Sequence, residues 1–130
     1  MEITYNGPSA FVSAVKLVHT SGLVSNRASV PGSFWGSGEG TNGLATLITD
    51  SQNRIIYPSP RVTTVSQNGW YAMPGYTALS PELLLSDFCA PHYLNKGVKL
   101  RVWYGEDWSG YTEIDNSGRS CTKIFAYLFQ

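Results

Sequence analysis

The sequence predicts one all-β domain, an antiparallel β-sandwich, and three observations carry that prediction. Sustained helical periodicity is missing along the chain. Gly and Pro punctuate it every several residues, and the segments between favour β-branched and aromatic side chains. Its 130 residues suit a single domain over 1–130, a size that buries roughly two-thirds of the unfolded surface around one core.

The elements follow in chain order. Phe11 to His19 carries Val12, Val15 and Val18, a spacing that fits a helix or a strand. Gly32 to Gly43 surrounds Phe34, Trp35 and Glu39 with glycines and reads as an irregular loop. It is no phosphate cradle, since no helix opening with Lys-Ser/Thr follows it. Thr46 to Thr49 and Arg54 to Tyr57 flank Asp50-Ser51-Gln52-Asn53, which predicts a hairpin. Arg61 to Val65 reads as another strand, ended by the Gln67-Asn68-Gly69 turn, with Trp70 to Met73 returning. Pro81 to Asp87 suits a helical turn, through Pro at its first position, or a buried strand, through its leucines.

The last third is the most informative. Val98, Leu100, Val102 and Tyr104 alternate with Lys99, Arg101 and Trp103, the pattern of a strand. In the closing strand Ile124, Ala126 and Leu128 share one face, and Phe125, Tyr127 and Phe129 share the other. A strand apolar on both faces is expected to be covered twice, by a second sheet with a loop or by a second subunit.

Composition narrows the function. Only 14% of residues are charged, and nine basic side chains balance nine acidic ones. No basic field exists to displace counterions, so nucleic acid is not an expected partner. Apolar runs last a few residues, so membrane insertion is not expected either. The first twenty residues lack the regions of a secretory signal. Cys89 and Cys121 each border a strand, and the composition, rich in Trp, Tyr, Gly, Ser and Thr, looks extracellular. Two buried thiols fit a cytosolic chain, whereas a secreted one favours a Cys89–Cys121 disulfide, which would add about 3–4 kcal/mol by loop entropy. The secreted reading is the one adopted.

Catalytic chemistry lacks parts. His19 and His92 show no metal-ligand spacing, and no nucleophile-elbow signature accompanies them. The carboxylates after the Trp103 strand are more suggestive. Two of them held across a sugar run glycoside hydrolysis. Glu106, Asp107, Asp115 and Asn116 are also oxygen donors of the kind calcium takes, although their spacing is not an EF-hand's. The same stretch fits a solvated loop turning at Asp115-Asn116-Ser117-Gly118. Sugar recognition fits as well. A neutral sugar needs polar partners for its hydroxyls and a ring against its C–H face. Asp107, Trp108, Tyr111, Asp115, Asn116 and Arg119 supply both within a short span. Trp35 with Glu39, and His92-Tyr93 with Asn95, are candidate contributors from neighbouring loops. Trp103 and Tyr104, inside the strand pattern, read as core.

The run Leu100-Arg101-Val102-Trp103-Tyr104-Gly105-Glu106-Asp107, followed by Asp115-Asn116-Ser117-Gly118 and Cys121, resembles a domain of cnidarian extracellular proteins. That domain is found in coral matrix proteins and soft-coral galactose-binding lectins, and the resemblance covers the last forty to fifty residues. It implies a secreted β-sandwich lectin of jelly-roll or H-type-lectin-like form. Such a protein forms homo-oligomers, binds galactose-type glycans and does no catalysis. No cofactor is required on this reading. The alternative is a secreted matrix-interaction module whose loop is stabilised by calcium.

Overall fold

The computed structural model describes residues 1–37 and 43–129, so the expected contribution of Glu39 lies outside the described residues. Among the described residues, eight strands form two antiparallel sheets. They are β1 (Glu2–Thr4), β2 (Ala10–Ser25), β3 (Thr46–Thr49), β4 (Ile55–Tyr57), β5 (Glu82–Ser86), β6 (His92–Leu94), β7 (Lys99–Tyr104) and β8 (Ser117–Leu128). A short helix, α1 (Gly105–Ser109), and a 3₁₀ turn over Glu113–Asp115 join the last two strands. The first sheet runs β1-β7-β3-β4. In the second, the sixteen-residue β2 pairs with β5, β6 and β8.

β2 resolves the ambiguity of its valines in favour of a strand. Val12, Val15 and Leu17 all enter the core, although strict alternation would separate Val12 from the other two. The pairing with β8 slips between Val12 and Ala14, leaving Ser13 as an extra residue. This bulge reverses the inward parity of the strand. Ser13 secures it, donating its hydroxyl to Tyr127 O and accepting at its carbonyl from the Asp87 N–H. A second slip at Thr20 is tied by the Thr20 hydroxyl to Cys121 O.

Trp35, Leu17, Leu44, Leu47, Leu83 and Leu85 are fully buried between and beside the sheets. Burying each such leucine contributes roughly 1.5–3 kcal/mol relative to exposure. Tyr57 crosses from one sheet to the other, donating its hydroxyl to Val12 O at 3.0 Å. Burial pushes that phenol up to about 12, so it stays a donor.

Several expectations from the sequence change here. The Thr46–Tyr57 hairpin forms as read, and the Pro81–Asp87 leucines lie in a strand. Arg61 to Val65 is no strand. Pro58 and Pro60 lack N–H groups, and the chain instead turns at Ser59, whose carbonyl accepts from the Val62 and Thr63 N–H groups. The Trp70–Met73 return shrinks to a single bridge between Tyr71 and Leu44.

The disulfide is overturned: both cysteines are free and exposed. Cys89 follows β5, whose last paired residue, Ser86, lies opposite Ala14 of β2, whereas Cys121 lies opposite Ser21. Seven residues of strand separate those positions, on the order of 20 Å at strand rise. A disulfide needs Cα atoms within about 7 Å.

On β8 the inner face packs as expected, with Ile124 and Leu128 against the core. Phe125, Tyr127 and Phe129 on its other face are 45–55% exposed, so one chain covers this strand on one side only.

Candidate functional site

The Trp103–Asp107 stretch is built on a close approach of two glycines. A Cβ added to Gly105 would collide with Gly69 O, so only glycine lets the start of α1 lie against the Ser66–Trp70 turn. Gly69 itself has φ +85°, the left-handed region that the Asn-Gly turn requires. Glu106 then locks the contact from inside. It is 3% exposed, and its two carboxylate oxygens accept from Trp70 Nε1 at 3.1 Å and from the Thr112 hydroxyl at 3.2 Å. Burial raises its carboxyl above the ordinary value, against the opposing pull of those two bonds. Glu106 is therefore a brace of the fold, its carboxylate turned inward rather than presented at the surface.

This bracing presents Asp107 outward on α1. Asn116 Nδ2 donates to Asp107 Oδ1 at 3.0 Å and ties the 3₁₀ turn back onto the helix. Asp107 lies on the wall of a cleft of about 620 Å³. The opposite wall is β8, where the long pairing with β2 sets Arg119 against Leu23 and Ser120 against Gly22. Phe34 and Tyr104 supply aromatic surface. The Phe34 ring stacks on His19 at 3.7 Å, nearly parallel, and Tyr104 is held by its hydroxyl on Gly36 O. His19 Nε2 lies 2.8 Å from Gly22 O, which makes that nitrogen the protonated one, since a carbonyl only accepts. The Ser120 hydroxyl is buried and has no hydrogen-bond partner among the described residues, and neither has Asn116 Oδ1.

The six residues singled out from the sequence thus divide. Asp107 and Arg119 line the cleft, and Asn116 orients Asp107. Trp108 turns away: its Nε1 donates to Asn53 O and its ring packs on the core. Tyr111 and Asp115 are exposed beside the cleft without lining it. Among the loop contributors, Trp35 is 1% exposed and donates Nε1 to Ser80 O, so it is a core residue beneath the cleft. His92, Tyr93 and Asn95 belong to the β6 region and do not reach this cleft. Phe34, Ser120 and Tyr104 were not readable as its lining. Phe34 is one residue from the tryptophan that drew attention, and only the β2–β8 register makes Ser120 its neighbour across the gap.

Among the described residues, no group of three or more His, Cys, Asp or Glu converges to hold a metal ion. Among the described residues no helix is long and apolar enough to cross a membrane.

No protein-family model and no curated protein matches the chain. Among solved structures, AJLec from the sea anemone Anthopleura japonica aligns with a TM-score of 0.84 at 32% identity, over 98% of this chain and 92% of that one. The chain belongs to the AJLec family. The cnidarian kinship drawn from the C-terminal motif holds at this level, with a sea-anemone relative in place of a soft-coral or coral-matrix one. The alignment with AJLec also takes in the first eighty residues, where the motif had nothing to offer.

Proposed function

We propose that this protein is a secreted lectin that binds neutral, galactose-type sugars in the Asp107–Arg119 cleft and does not turn them over. The observation that carries the reading is the cleft itself. Its volume falls in the range of small-ligand sites, and it joins aromatic surface to a carboxylate and a guanidinium. Asp107 accepts and Arg119 donates, which is the mixture that vicinal sugar hydroxyls require. The kinship with AJLec supports a carbohydrate-binding role and an extracellular site of action.

The grip on the sugar is direct and calcium has no part in it, so chelation with EDTA leaves binding unchanged. Several copies of the chain assemble, which turns weak single-site binding into avidity.

Titration with lactose tests the reading. Saturable binding is expected, weakened at least about tenfold by Asp107→Asn or Arg119→Ala, as befits losing a charge-assisted hydrogen bond. Trp108→Phe keeps the ring that packs on the core and leaves affinity unaltered. A glycan array with no bound member, on folded protein, rejects the proposal.

A further inference from the structure

A second cavity, of about 430 Å³, opens between β4 and the β5–β6 turn and shares no lining residue with the Asp107–Arg119 cleft. Its floor is a carboxylate shielded by its neighbours. Asp87 is 6% exposed and accepts from the Ser59 hydroxyl at 2.6 Å and from the Ala90 N–H at 3.0 Å. Arg61, on the rim, reaches it only at 3.9 Å. Across the cavity Asp50 accepts from the N–H groups of Gln52 and Arg54 and from Arg54 Nε at 2.7 Å. His92 stands on β6, and Pro60 with Ile55 gives an apolar wall.

The charges cancel. Two arginines answer two aspartates, and partial burial lowers the His92 pKa, which keeps its ring neutral at physiological pH. A net charge on a ligand therefore gains little here. Hydrogen-bonding capacity nevertheless remains. A guanidinium has five N–H donors, of which Arg54 commits Nε and Arg61 makes only one long contact. A neutral His92 adds one donor and one acceptor, and its ring gives a flat face.

We propose that this cavity is a second binding site, for an uncharged polyhydroxyl ligand, a neutral sugar ring. The proposal rests on the reading of the chain as a neutral-sugar binder but not on the location of the first site. Its consequence is that a single chain grips a glycan twice, at two separate places on the sandwich, and gains avidity without assembly.

Amide chemical-shift mapping of the full chain with lactose, mannose and glucuronate tests it. Amides of 54–57, Ser59, Arg61, 87–90 and His92 are expected to shift saturably with a neutral sugar. Arg61→Ala, at a side chain 65% exposed and so tolerant of truncation, weakens that response about tenfold and leaves the Ser120 region untouched. Shifts confined to Asp107, Arg119 and Ser120 overturn the second site while the first stands. A cavity that answers glucuronate but no neutral sugar also overturns it. Shifts at the cavity alone uphold it and sink the first site, and silence everywhere removes both.

Discussion

At the scale of single residues, Glu106 shows how a chemically suggestive motif is spent on structure. The sequence drew attention to Trp103–Asp107 because carboxylates and rings crowd together there. Of its two carboxylates, one faces the cleft and one is a buried brace, and no local pattern distinguishes them. The distinction depends on Trp70, thirty-six positions away in the chain. Because burial raises the Glu106 carboxyl, the folded protein holds that proton at pH values where the unfolded chain has released it. The contribution is thus complete below the ordinary carboxylate value and is lost as pH rises through the raised folded value. Glu106→Gln keeps an acceptor for Trp70 Nε1 and offers Thr112 a donor, without any titration. Denaturation curves of both proteins from pH 3 to 8 should therefore diverge upward, with the variant gaining on the wild type as pH rises. Glu106→Ala strands the indole donor and costs about 1–3 kcal/mol at low pH, where the wild-type contribution is complete. A wild-type-minus-Gln difference that stays flat across the range shows that Glu106 does not titrate differently on folding.

At the scale of elements, β2 explains why the chain was readable as a sandwich yet not as this one. The β propensity of its valines and the alternation in β7 were local signals, and both elements are strands. The Ser13 bulge was not a local signal, for it exists only as a mismatch with β8, more than a hundred residues on. Without it, Val12, Val15 and Val18 look like one helical stripe. With it, the inward set is Val12, Val15 and Leu17, and Val18 sits between Glu82 and Lys123 on the neighbouring strands. The two readings assign opposite costs. Leu17→Ala is expected to destabilise by about 3 kcal/mol, the toll of a cavity at a fully buried site. Val18→Thr should stay under about 1 kcal/mol. Urea midpoints measure both, and a larger loss at Val18 than at Leu17 contradicts the bulged register. The same long pairing explains the half-legible cleft. Asp107 and Arg119 sit near each other in sequence, whereas Phe34 and Ser120 meet only once β2 and β8 are aligned.

At the scale of the whole molecule, the outer face of the β6-β2-β8 sheet is the largest debt that one chain leaves outstanding. Phe125 and Tyr127 on β8, Phe129 just after it, Phe11 on β2 and Tyr93 on β6 are all about half exposed, and Phe11 and Tyr93 meet edge to face at 5.0 Å. β8 is also an edge, for among the described strands its one partner is β2. Proteins that keep such an edge solitary defend it with charge or proline, and from Ile124 to Phe129 this strand has neither. A net charge of zero provides no repulsion between copies either. Lys16, beside Phe125 in the β2–β8 pairing, is engaged by Tyr127 and Glu82 within its own chain. A second copy laid on this face would bury the rings of both, which is why the proposed assembly is placed here. Light scattering on wild type should give a mass above the monomer at micromolar concentration. Phe125→Lys with Phe129→Ser, both at exposed positions that leave the core intact, should return it to the monomer. Lactose affinity per chain would then be unchanged, while binding to a surface dense in the same sugar weakens, because avidity is lost and the site is not. A wild type that scatters as a monomer through the millimolar range, or a variant that assembles equally well, places the contact elsewhere or removes it.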